Sequence, residues 1–295
     1  MQSIEEKRVY GDRQGAVTAY VASAMGVVRV RVAGDTVGEF GLCDRCDTRD
    51  IAASGDAVAV ATDDDVRVLA LENREGADHD GDAPVAATDE PFVDTGFGPA
   101  AAVGFDGTDL LAAGPDGRVA RHTAGTGTDE WTTLTDDLET TIRAIDGDLV
   151  ATDDGVYRVG DDALAHAGLS DARDVSAAGV PVAATADGLS KLGNGWLTVL
   201  EGAFETVAAD PRSEQGDLVR AHAVAADGLY EFVADEWHAI EGSSEHIVGV
   251  GYGETTYAVT ENGTFLAWSD GEWRDRSLGV RDVTGLAVPP QSVGQ

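Results

Sequence analysis

Short runs of small apolar residues alternate with tight polar turns along the whole chain. The unit is an apolar run, a turn built from Asp, Glu, Asn and Gly, and a second run. Seven copies occur: AYVASAMGVVRV (19–30), AVAVATDDDVRVLAL (57–71), DLLAAGPDGRVARH (109–122), DLVATDDGVYRV (148–159), VPVAATADGLSKL (180–192), AHAVAADGLYEF (221–232) and TYAVTENGTFLAW (256–268). Their turn residues are Gly26, Asp65, Gly117, Gly155, Gly188, Gly228 and Gly263. The mean spacing is about 40 residues, the period of a β-propeller blade.

Two further strands per unit follow from the flanks. After several copies comes a tryptophan with an aliphatic residue three positions on: Trp131/Leu134, Trp196/Val199 and Trp237/Ile240. Trp273 holds the same place with looser spacing. This reads as an outer strand d. Before several copies runs another apolar stretch opened by Arg: RDIAASG (49–55), RAIDG (143–147), RDVSAAG (173–179) and RDVTGLAV (281–288). This reads as an inner strand a, apolar throughout because neighbouring blades cover both its faces. Asp-Gly turns supply the positive φ that a tight hairpin needs. No 3.6-residue period persists, so helix is expected to be scarce.

The expectation is one all-β domain over 1–295, a seven-bladed propeller with four antiparallel strands per blade. The run 281–288 has no second strand after it, and the first copy lacks a matching strand a before it. The C-terminal run is therefore expected to complete the first blade and close the ring. Segment 4–10 is open: it is an extra strand, or it supplies that strand a itself. Residues 72–90, acidic and poor in large apolar residues, read as a loop between strands c and d of blade 2.

Charge changes the picture of the surface. Asp and Glu number 54 against 20 Lys and Arg, a formal net charge of −34, and the only lysines are Lys7 and Lys191. With 43 % hydrophobic residues in strand-like runs, the chain is folded rather than disordered. Such a surface repels itself in dilute buffer, and molar salt screens it. The sign of the charge excludes nucleic acid and anionic membranes as partners. The N-terminus has no apolar stretch of signal-peptide type and no run is long enough to span a bilayer, so the expected location is cytoplasmic.

The units LVATDDGVYRV (149–159) and VAADGLYEF (224–232) resemble the BNR-like repeats of sialidase-type and photosystem-stability-factor-type propellers. The Asp-box of those repeats survives only as a fragment at Ser269-Asp270-Gly271-Glu272-Trp273. From SIEEKRVYGDR (3–13) to its end the chain also resembles a haloarchaeal β-propeller family. That resemblance implies the fold and offers no catalytic residues.

Candidate chemistry is sparse. Cys43-Asp44-Arg45-Cys46 is a single CxxC, which grips one side of a zinc ion but needs two further ligands. Asp78, Asp80, Asp82 and Asp89 have the spacing of a calcium loop, but Ala83 stands where that loop needs Gly. Arg49, Arg143, Arg173 and Arg281 open strands a and so are expected on one face near the axis. Guanidinium groups there would take an anionic ligand bidentately, or pair with Asp50, Asp174 and Asp282. The turn acids Asp63, Asp64, Asp65, Asp116, Asp153, Asp154, Asp187, Asp227 and Glu261 are expected to ring the same face. No nucleotide-binding, metalloprotease or serine-hydrolase motif occurs. The expected function is a monomeric, non-catalytic scaffold for a protein partner, with no cofactor. Two alternatives stay open: a glycosidase or sialidase-like hydrolase at the axial mouth, and a small-ligand or metal-binding module using Cys43 and Cys46.

Overall fold

The computed structural model describes residues 16–71, 91–123, 130–240 and 245–290. Segment 4–10 and the loop 72–90 lie outside the described residues. Seven four-stranded antiparallel sheets form the ring. Six follow chain order, and the seventh has the order last, first, second, third strand. Among the described residues there is no helix, hence none long and apolar enough to cross a membrane.

The inner strands a are Val283–Ala287 in blade 1, Thr48–Ala53 in blade 2 and Ala102–Asp106 in blade 3. Blades 4 to 7 contribute Ile142–Asp146, Ala172–Ser176, Phe204–Ala209 and Ile247–Tyr252. Strand a of blade 1 comes from the C-terminus, pairing Val21 with Leu286 and Ala22 with Gly285. Strands b are buried along almost their whole length, as in Ala57–Thr62 and Ala221–Ala225. Both their faces meet neighbouring sheets, so small residues are required near the axis.

In four blades strand b ends on a hydroxyl that organises the turn. Ser23, Thr62, Thr152 and Thr185 each donate to the carbonyl three residues on, at 2.7–2.9 Å. In blade 4 the turn is completed by Gly155 at φ 127°, where a Cβ would sit 2.4 Å from the Leu169 carbonyl oxygen. The tryptophans that open strands d reach back to the preceding blade: Trp131 donates to the Thr95 carbonyl at 3.3 Å and Trp196 to the Ala167 carbonyl at 3.0 Å.

Candidate functional site

Strands a run from the d–a connection toward the a–b turn. Their first residues therefore share a face with the b–c turns. In six of the seven blades strand a slips by one residue against strand b at the same place. The unpaired residues are Thr284, Arg49, Arg143, Arg173, Glu205 and Val248. A bulge re-aims the extra side chain and leaves the ladder on either side intact. All six line one axial cavity of about 380 Å³. Three of the four arginines singled out in the sequence thus meet at one mouth.

Each of these arginines already holds a carboxylate. Arg49 makes a bidentate pair with Asp63 of the neighbouring b–c turn, at 2.6 and 2.7 Å. Arg143 donates to Asp153 at 2.6 Å and lies 3.6 Å from Asp171. Arg173 pairs with Glu205 across the boundary between blades 5 and 6. The arginine bond holds the Asp63 carboxyl below its usual range. Asp153 is lowered by Thr141 and then by Arg143. Arg281 differs. Its RDV triplet looks like the one at 49, but Val283 holds the place of Thr48, so Arg281 is exposed in the d–a connection and does not line the cavity.

Below the rim, Asp50, Asp146 and Asp174 project from strands a to the next blade. Asp50 accepts the Val103 N–H at 3.0 Å, Asp146 the Ala177 N–H at 2.8 Å and Asp174 the Val207 N–H at 2.9 Å. Sequence reading took Asp50 and Asp174 only as partners for the arginines. The signal that could have separated them was their apolar continuation, since a carboxyl among Ile, Ala and Val must find backbone donors.

At the far end of the cavity Tyr252 closes a buried network. Its hydroxyl donates to the Ala208 carbonyl at 2.8 Å and meets His222 Nδ1 at 2.9 Å. Burial, with Arg220 nearby, pushes His222 down to about 3, so the ring is neutral. Arg220 stacks over the Tyr252 ring at 4.8 Å and shares Asp210 with Arg212. Burial alone would raise the Asp210 carboxyl, but the Arg212 and Arg220 bonds overcome it and hold it at about 2.

Cys43 is the last residue but one of strand d of blade 1 and Cys46 follows in the d–a connection, on the same face as the arginine rim. Cys43 donates to the Val27 carbonyl at 3.3 Å, and Cys46 to Asp44 Oδ2 at 3.7 Å. Burial raises both thiols, Cys46 to about 11 with help from Asp44, so both stay protonated at neutral pH. Among the described residues no group of three or more His, Cys, Asp and Glu is placed to hold a metal. Some turn acids serve the fold: Asp65 accepts N–H bonds from Val66, Gly96 and Gly98 at 2.8, 2.9 and 3.0 Å.

The ring resembles the WD40 β-propeller domain of Doa1, at TM-score 0.59 and 15 % identity, over 90 % of this chain and 89 % of that one. It is also similar to the computationally designed Ika8 protein, at 0.58 and 13 %, over 93 % and 91 %. A chain of a nidogen/laminin complex matches at 0.56 and 11 %, over 92 % and 98 %. At these identities the likeness shows the fold alone. A comparison with curated proteins finds no match. The model of a family described as HVO_0234-like beta propeller matches residues 3–289. With nearly its whole length matched, the chain belongs to the HVO_0234-like β-propeller family.

Proposed function

We propose that the chain is a monomeric, non-catalytic scaffold that binds a protein partner on the face of the b–c turns and d–a connections. The arginine-rimmed mouth is the centre of that face. The observation that carries this reading is the recurrent bulge, which turns one residue per blade toward the mouth in six blades. A rim built on packed strands is preorganised, so binding does not have to order it. The net charge of −34 supports a high-salt cytoplasm as the setting. The Thr152-Asp153-Asp154-Gly155 turn supports the BNR-like relation.

The hydrolase alternative has less support. It needs a tyrosine, a carboxylate and arginines at one point. Tyr252 stands four residues beyond the bulge position, about 13 Å along the strand, and its hydroxyl is bonded to protein groups. The metal module is weaker still, since both thiols are protonated and paired within the chain.

The test compares two faces. Purified protein captures partners from its native lysate at native salt. The triple variant Arg49→Ala/Arg143→Ala/Arg173→Ala is expected to lose the partner. Arg158→Ala, whose pair with Asp148 lies on the opposite face, is expected to keep it. Loss with Arg158→Ala alone contradicts the assignment.

A further inference from the structure

Blade 1 carries a row of hydrogen-bond donors on its flank. Its strand c, Gly26–Ala33, turns Val28, Val30 and Val32 toward blade 7. Alternation turns Val27, Arg29 and Arg31 the other way, toward blade 2, where Val27 packs with Leu69 and Phe92. On strand b, Tyr20 stands opposite Arg29 and Thr18 opposite Arg31. Cross-strand partners share a face. Two guanidiniums and two hydroxyls therefore line one side of the cleft between blades 1 and 2.

The chain has 54 acidic residues, yet none takes these donors. Among the described residues Arg29 and Arg31 make no side-chain hydrogen bond or ion pair, and the Thr18 and Tyr20 hydroxyls make no hydrogen bond. Both arginines are half-buried. Burial raises the Tyr20 hydroxyl, Cys43 adds to this, and Arg29 and Arg31 oppose it, so both guanidiniums lie near that oxygen. Strand d, Thr36–Asp44, leaves the row uncovered. It places Gly41 opposite Arg29, and a Cβ there would meet nothing within 4 Å. Gly38 and Glu39 share the bulge opposite Arg31, and Glu39 makes no ion pair among the described residues. Across the cleft Arg67 is held by Asp44 and Asp94, and Leu69 and Leu71 bring no side-chain acceptor.

We propose that this cleft binds a tetrahedral oxyanion of phosphate type, as the free ion or as a small phosphomonoester. Guanidiniums only donate, and a hydroxyl without a partner is free to donate too. One guanidinium fork already fills a carboxylate. Two forks and two hydroxyls call for an anion with more acceptor oxygens, which phosphate has. Partly buried charges are screened less than exposed ones, so binding persists in molar salt. The cleft lies on the flank of the ring, and it does not depend on what binds the arginine rim.

Equilibrium dialysis against radiolabelled inorganic phosphate in molar KCl tests this. The wild type is expected to bind a single phosphate per chain, saturably. Arg29→Gln/Arg31→Gln is expected to bind about tenfold more weakly or worse. Gly41→Glu sets an internal carboxylate beside Arg29 in open space. It is expected to weaken phosphate to the same extent while melting like the wild type. Should the double variant not fold, Gly41→Glu decides. Glycerol phosphate competes with the label in either case. Tighter binding than the inorganic ion assigns the cleft to a phosphomonoester, and weaker binding assigns it to the free ion. No saturable binding by the wild type overturns the proposal. So does unchanged binding by both flank variants, or loss of phosphate in the rim variant Arg49→Ala/Arg143→Ala/Arg173→Ala alone.

Discussion

Val21 and Leu286 are paired neighbours in one sheet although they lie at opposite ends of the chain. The last strand is thus an inner strand of the first blade, not a tail. Val283, beside it, is buried in the core shared by blades 1 and 7. Removing residues 281–295 should abolish cooperative thermal unfolding. Val283→Ala should cost about 2 kcal/mol, read from denaturant midpoints. A truncated chain that melts like the full one would show that the ring closes otherwise.

Surface charge sets the solvent in which the ring holds. At −34 the folded state repels itself when unscreened. The melting midpoint should climb steeply from low salt to molar KCl. A flat or falling midpoint would refute a halophilic setting.

Asp210 tests the far end of the cavity. Its carboxyl serves Arg212 and Arg220 while itself buried. Asp210→Ala leaves both guanidiniums without that partner and should cost about 3 kcal/mol. Because the folded carboxyl is depressed to about 2, its contribution is present above about pH 4 and disappears as pH falls toward 2. Acid unfolding of the wild type and the variant, compared at equal salt, reads this difference.

The thiols should be quiet. With Cys46 raised to about 11, little thiolate exists at neutral pH. Alkylation at pH 7 should be slow and should accelerate above pH 9. Cys43→Ser/Cys46→Ser should move the midpoint by no more than about 2 °C. Fast alkylation at pH 7, or zinc retained by the purified protein, would contradict this.

The fold was legible because each blade repeats one hydrophobic message. Runs such as Ala57–Thr62 and turns such as Thr152–Gly155 carry the burial and the hairpin chemistry locally. The rim was legible only in part. Arg49, Arg143 and Arg173 were found by their place before an apolar run. The same rule misplaced Arg281 by three residues, because strand a of blade 1 begins only at Val283 and Thr284 takes the bulge position that Arg49 holds in blade 2. Glu205 lies in no Arg-opened run, and Thr284 lies inside RDVTGLAV with nothing to set it apart as a rim residue. The buried network of Asp210, Arg220, His222 and Tyr252 joins two blades, and pairings that distant leave no periodic trace.

The central claim is that a partner sits on the arginine-rimmed face. Hydrogen exchange of the protein alone and with its captured partner, at native salt, tests it most directly. Slowed exchange is expected in the d–a connections around 44–48 and 169–173 and in the b–c turn at 153–155. Exchange should be unchanged at 146–149 and 159–163, which lie on the opposite face. Protection confined to those two segments, with the rim unaffected, would contradict the account.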